Sequence, residues 1–141
     1  MKHTTQRRRV AARGFTLIEM LVVIAILAML AGLVGPAVMD KLGGAKTKTA
    51  KVQACEIEKT LDIYKLDVGR YPNNNEGLRA LVTNPGSVAG WNGPYLKGEL
   101  PADPWGNAYH YTSSGGKMEV VSLGADNAPG GDGENADVRC H

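Results

Sequence analysis

The chain has 141 residues, 16 basic and 14 acidic side chains, and a formal charge of +2. That is enough for one domain plus an anchor. A single Phe leaves the core to Leu, Val, Ile, five Tyr and two Trp, and two cysteines are too few for a disulfide framework.

Residues 1–14 form a basic leader. Lys2, Arg7, Arg8, Arg9 and Arg13 stand there with no acid among them, which leaves 11 basic and 14 acidic residues after Gly14, a net of −3. A basic head directly before an apolar run sets orientation: head in the cytoplasm, remainder outside. The same position argues against a nucleic-acid-binding arm, because a membrane segment follows at once.

Residues 15–39 are that segment. Met20 to Val34 carries no polar side chain. A secretory signal has an apolar region of about 7–15 residues followed by a small-x-small cleavage site. Here the run approaches the roughly 20 residues needed to span a bilayer. The expected cut therefore lies before it, after Gly14, and the segment stays on the mature chain. Glu19 sits about one turn inside, where a carboxylate costs on the order of 2.5–3.5 kcal/mol at mid-membrane and less near an edge. Gly32, Gly35 and Pro36 weaken the far end, since proline lacks an N–H and crowds the preceding turn, so a kink or a meltable stretch is expected there.

From Ala37 to Val68 the pattern becomes amphipathic. Ala50, Ala54, Ile57, Leu61, Tyr64 and Val68 are spaced to line one helical face, with Lys and acidic residues elsewhere. One helix from Phe15 to about Val68 would be roughly 80 Å long at 1.5 Å per residue. That exceeds the diameter of so small a domain, so its first half is expected in lipid or among neighbouring subunits. Gly69 is a plausible stop.

Residues 69–107 read as a structured loop, dense in Gly, Pro and Asn and pinned by Tyr71, Trp91, Tyr95 and Trp105. A short helix is expected over Glu76 to Val82, with Leu78, Leu81 and Val82 inward. Ala108 to Thr112 and Met118 to Leu123 read as strands of a hairpin turned by Ser-Ser-Gly-Gly. The tail, GADNAPGGDGENADVRCH, reads as a glycine-rich acidic loop.

Two places carry chemistry. Cutting after Gly14 frees an amine on Phe15, four residues from Glu19. That amine, on the same or an adjacent subunit, can pair with the carboxylate and offset its burial, which makes Glu19 a register key for stacking. The alternative is that Glu19 snorkels to the headgroups or is protonated. In the tail, Asp126, Asp132, Glu134 and Asp137 are interleaved with Gly124, Gly130, Gly131 and Gly133. Hard cations take six to eight oxygens, mixing carboxylates with carbonyls, and glycines let the backbone curl toward such an ion. The spacing partly echoes an EF-hand, but Ala128 and Gly130 fall where it needs oxygen-bearing side chains, so the loop is not one. A solvated acidic turn remains the other reading. Cys55 and Cys140 can pair in an exported domain, no metal spacing links them, and their bonding stays open. His110 reads as a structural strand residue, and no nucleophile with its partner, phosphate loop or nucleotide fingerprint is evident.

RGFTLIEMLVVIAILAMLAGLVGP resembles the class III signal and first helix half of type IV pilins and type II secretion pseudopilins. The resemblance implies cleavage after Gly14 by a membrane aspartyl peptidase, N-methylation of Phe15, an assembly role for Glu19, and helix melting near Pro36. YKLDVGRYPNNNEGLRALV, GPYLKGELPADPWGNAYHY and SLGADNAPGGDGENAD are similar to the major pseudopilins of type II secretion. That family implies one calcium ion in the tail, held by the side chains of Asp126 and Asp137 and the carbonyl of Leu123, with Asp132 and a carbonyl near Ala128 as further ligands. The cysteine pair departs from the family's pattern, and a C-terminal disulfide loop is a pilin habit.

The fold expected is α+β and pilin-like: a long N-terminal helix, half transmembrane and half amphipathic, packed on a small antiparallel sheet with a structured αβ loop. The parts expected are a leader (1–14), a transmembrane assembly helix (15–39) and a periplasmic domain (40–141). The function implied is a non-enzymatic subunit of the type II secretion pseudopilus, a filament driving export of folded proteins across the outer membrane. Its partners would be further copies of itself, minor pseudopilins, the prepilin peptidase, the inner-membrane assembly platform and the membrane, with no nucleic acid. The rivals are a type IV pilin for adhesion, motility or DNA uptake, and a monomeric anchored calcium- or sugar-binding module, which alone would tolerate Glu19→Ala.

Overall fold

A computed structural model describes residues 13–141; the expectations for Lys2, Arg7, Arg8, Arg9 and the rest of the leader up to residue 12 lie outside the described residues. The elements in order are helix α1 (Leu17–Val68), a 3-10 turn (Leu78–Leu81), strands β1 (His110–Ser114) and β2 (Lys117–Ser122), a second 3-10 turn (Gly133–Asn135) and strand β3 (Val138–Arg139). The chain divides into two compact units, one ending at Val38 and the other spanning Met39–His141.

In the first unit α1 starts at Leu17, and the helix is continuous through Gly35 and Pro36, with no break where the sequence suggested a weak point. Its apolar side chains are exposed, Phe15 at 81% and Leu30 at 54%. This is the one helix among the described residues long and apolar enough to cross a membrane.

In the second unit the remainder of α1 supplies the core. Ala50, Ala54, Ile57, Leu61 and Tyr64 are buried, and Val68 is half-buried at the edge of the same cluster. Ala54, Ile57, Leu61 and Tyr64 pack with Leu78, Ala80, Leu81, Tyr109 and Val120. The helix ends where Gly69 takes φ +87° and its N–H bonds the carbonyl of Lys65 at 2.8 Å, a left-handed cap that glycine adopts without a Cβ penalty. The helix expected over 76–82 is a single 3-10 turn, because Gly77 at φ +58° precludes an α-helical start.

The 69–107 segment is held by the aromatic groups expected to hold it. Trp91 Nε1 donates to the carbonyl of Ala80 at 2.7 Å, and the Tyr95 and Tyr71 hydroxyls donate to Asp67 and Asp62 of α1. Strands β1 and β2 pair antiparallel with Ser114 opposite Lys117. The hairpin turn is thus Gly115-Gly116 alone, both at positive φ, and the two serines belong to β1.

The tail needs correction. It is not loop to its end, because Val138 and Arg139 pair antiparallel with Ser122 and Val121 and complete a sheet ordered β1-β2-β3. Two residues are too few to show a period, so only pairing with β2 defines this strand.

Candidate functional site

The first unit holds the junction. Arg13 to Thr16 is not helical, so the Gly14–Phe15 peptide bond lies ahead of the helix and is exposed. A Cβ placed on Gly14 would meet nothing within 4 Å. Thr16 caps α1: the Glu19 N–H donates to Thr16 Oγ1 at 3.2 Å, and the Thr16 N–H donates to Glu19 Oε2 at 3.0 Å. This is a reciprocal capping box, and it places the carboxylate at the positive end of the helix dipole. Glu19 is therefore not a bare charge within one chain. The T-x-x-E spacing signals the cap in the sequence, and a reading of Glu19 only as a charge in lipid passes over it. One neutral N–H does not cancel a full charge, so the cap offsets only part of the cost of placing this carboxylate in lipid.

In the second unit Asp103 organises the DPWG block. It is 4% exposed, and its Oδ1 accepts the N–H groups of Trp105 at 3.1 Å and Asn107 at 2.8 Å. Its Oδ2 accepts Ser122 Oγ at 2.7 Å, which ties the block to β2. Asn107 Nδ2 then donates to the carbonyl of Gly124 at 3.1 Å, fixing the start of the acidic loop. The sequence marks Trp105 as a pin of this segment; the buried clamp made by Asp103 emerges only when β2 supplies Ser122.

The loop doubles back on itself. The Ala125 N–H donates to the Glu134 carbonyl at 2.8 Å. A Cβ on Gly124 would stand 2.6 Å from that carbonyl oxygen, and one on Gly131 2.6 Å from the Asn135 carbonyl oxygen, so only glycine allows this closure. Asp126 Oδ1 accepts the Ala128 N–H at 3.2 Å, and Asp137 Oδ1 accepts the Gly130 N–H at 3.0 Å while Oδ2 lies 3.5 Å from Arg139. Asp132 stands at the N-cap of the second 3-10 turn without a side-chain cap bond, and Leu123 is half-buried. Glu134 leaves the loop: its Oε1 accepts Trp105 Nε1 at 3.3 Å, and its side chain covers Gly43 of α1, where a Cβ would come within 2.7 Å of it.

The sequence-expected ligands Leu123, Asp126, Ala128, Asp132 and Asp137 thus share one closed loop whose donors are all oxygen, chemistry that suits a hard cation. Among the described residues, however, the convergent group of potential metal-binding side chains is a different one: Glu58, Cys140 and His141, with ligand atoms within 4.8 Å of one another. Cys55 and Cys140 are joined, S–S 2.03 Å, across 85 residues of chain, and this bridge fastens the end of the loop segment to α1. His110 is exposed on β1 and faces no catalytic partner in that strand's pairing.

Comparison with known proteins gives a consistent result. Residues 37–141 match the family described as type II secretion system (T2SS), protein G, and residues 9–35 match the prokaryotic N-terminal methylation motif. The type II secretion system core protein G of Pseudomonas aeruginosa is 46% identical over 139 residues, covering 94% of this chain and 96% of the relative. That of Vibrio cholerae is 44% identical over 130 residues, covering 89% and 88%. The crystal structure of the major pseudopilin from the type 2 secretion system of enterohaemorrhagic Escherichia coli aligns with a TM-score of 0.58 at 30% identity, covering 72% of this chain and 90% of that one.

Proposed function

This chain belongs to the type II secretion system protein G family, and we propose from that premise how its parts work. As the major pseudopilin it is a structural subunit of the type II secretion pseudopilus. Its working form is the chain trimmed after Gly14, methylated on Phe15 and anchored in the inner membrane by α1, with residues beyond about 40 in the periplasm. Copies of this form, with minor pseudopilins, build a filament on an inner-membrane platform.

The observation that carries this reading is the methylation motif on residues 9–35 running directly into the protein G domain on 37–141. The geometry supports it. The scissile bond stands outside the helix, where a peptidase can reach it, and the capping box holds Glu19 one turn in, facing the newly freed amine's end of the helix. Moving the apolar helix from lipid into a helical bundle exchanges one apolar medium for another, so extraction needs outside work. The family's cytoplasmic ATPase would supply it.

The test is secretion in a strain lacking its own core protein G. The intact chain should restore export, and the recovered protein should have lost residues 1–14 and gained one methyl group by mass spectrometry. Glu19→Ala should abolish export while the protein remains at normal level in the membrane. Normal export by that variant overturns the stacking role.

The 123–137 loop would take one calcium ion, through the Asp126 and Asp137 side chains and the Leu123 carbonyl, with Asp132 and the Ala128 carbonyl as further donors. The ion would supply charge compensation for the acids and so act as a folding ligand by mass action. Asp126→Ala should then be cut faster by protease than the parent and be rescued in part by excess calcium. Equal resistance with and without calcium overturns the assignment. A type IV pilin reading rests on the cysteine bridge alone, and that bridge spans 55 to 140, enclosing the sheet rather than bounding a C-terminal region.

A further inference from the structure

Cys55 and Glu58 lie three apart on α1, which puts both on one face of the helix. Cys140 and His141 follow directly on β3, whose pairing with Val121 and Ser122 sets their position against that face. Three of the four donor atoms, from Glu58, Cys140 and His141, already lie within 4.8 Å of one another, and His141 Nε2 is 3.5 Å from Glu58 Oε2. The fourth donor, Cys55 Sγ, is bonded to Cys140, with the two Cα atoms 4.8 Å apart. The Glu58 side chain is only 14% exposed, which restricts its freedom, whereas His141 at 88% is free to swing onto an ion. Charged groups around this corner are Lys117 and the Arg139–Glu119 pair on the strand side, in which Arg139 Nε donates to Glu119 at 2.6 Å, Lys51, Glu56 and Lys59 beside Cys55 on α1, and Asp62 one turn on from Glu58.

We propose that the dithiol form of this chain binds one zinc ion through Cys55, Glu58, Cys140 and His141. Two thiolates, an imidazole and a carboxylate make a tetrahedral set of the kind zinc prefers, at about 2.3 Å to sulfur and about 2.0–2.2 Å to nitrogen and oxygen. In the disulfide the sulfurs are neutral and bonded to each other, so the site exists only in the reduced chain. That form needs no reductant during biosynthesis, since the chain is made with thiols. From the oxidised protein it is reached when a phosphine or dithiol gives two electrons and two protons enter, converting the S–S bond to two S–H groups. Zinc binding then displaces the two thiol protons. Oxidation by a disulfide donor reverses the order: the donor's S–S bond takes the two electrons and, with two protons from solvent, becomes two thiols, while the Cys55–Cys140 bond forms and the ion departs. Zinc and the disulfide thus hold the same two segments together, one before oxidation and the other after. The sequence shows no metal spacing here, because the ligand pairs are separated by the whole sheet and loop.

The experiment uses the full chain in detergent with calcium present, prepared oxidised and, after phosphine reduction and anaerobic desalting, reduced. Each is titrated with zinc alone and, separately, with cobalt as a spectroscopic stand-in. The reduced chain should bind one zinc, show the sulfur-to-metal absorption and tetrahedral bands of cobalt, and re-oxidise at least tenfold more slowly with zinc than without. The oxidised chain should do none of this. Glu58→Gln and His141→Ala should each weaken zinc binding by about tenfold or more. Zinc uptake equal in both redox states places the metal elsewhere and overturns the proposal, as does uptake that survives in Cys55→Ser/Cys140→Ser. Uptake indifferent to both Glu58→Gln and His141→Ala would mean two free thiols of an unfolded chain, and that outcome also overturns it.

Discussion

Leu30 and Leu61 lie on one helix in opposite surroundings: Leu30 is 54% exposed and Leu61 is fully covered. Around Leu30 every position from Met20 to Val34 is apolar or glycine, so that stretch has no preferred face, and none of the described residues of its unit covers it. Around Leu61 apolar residues recur along one stripe, and a sheet and loop close on that stripe. A uniformly apolar surface needs a surrounding medium or further copies to satisfy it, whereas a stripe needs only the rest of its own domain.

The largest test of that contrast is truncation at the two leucines. Leu61→Ala should destabilise the Met39–His141 unit by about 2–5 kcal/mol, read from denaturant unfolding, as full burial with no route to collapse implies. Leu30→Ala should leave the same transition within about 0.5 kcal/mol, since it removes nothing the domain packs against. A comparable loss at Leu30 would break the comparison.

The next test concerns a buried polar contact of the second unit, which has no equivalent among the described residues of the first. Asp103→Ala leaves the Trp105 and Asn107 amides and the Ser122 hydroxyl without their shared acceptor. An unsatisfied buried donor costs about 1–3 kcal/mol, so a loss at the upper end of that range is expected. Asp103→Asn, which keeps one acceptor oxygen, should recover part of it.

The smallest effect is electrostatic. Arg70 grips Glu76 through two bonds, at 2.7 and 2.8 Å, and this contact is the main reason the Glu76 carboxyl is held below its ordinary value, with burial opposing and the Asn73 N–H assisting. A group whose folded pKa is lowered contributes stability above its unfolded value, near 4.3, and loses it as pH falls through the folded one. Unfolding followed from pH 6 downward should show this decline, and Glu76→Gln should flatten it without changing the slope above pH 6.

Much of the fold was legible in short-range signals. The stripe from Ala50 to Tyr64 and the stop at Gly69 depend on neighbours within a turn, and Trp91 bonds Ala80 within its own segment, whereas Tyr95 reads as a pin in the sequence but its partner Asp67 on α1 does not. The Thr16–Glu19 cap is local too, and its spacing is plain once the helix start is fixed. The acidic loop's composition pointed to oxygen donors but not to their arrangement, and Glu134 in particular leaves that set for Trp105 and Gly43. The N-terminal methylation motif over residues 9–35 is legible in the sequence, while residues 1–12 fall outside the described structure.

By itself the sequence determined a basic leader, a glycine before the apolar helix, an acid one turn inside it, and a stripe that must be covered. All of these follow from local periodicity and charge, which act between residues close along the chain. Only the tertiary structure decided that Cys55 meets Cys140 beside Glu58 and His141, that Val138 and Arg139 form a strand, and that Asp103 anchors to Ser122. Those contacts join positions 16 to 85 residues apart. Pairings at that range are set by how a whole domain closes, and no local pattern encodes them.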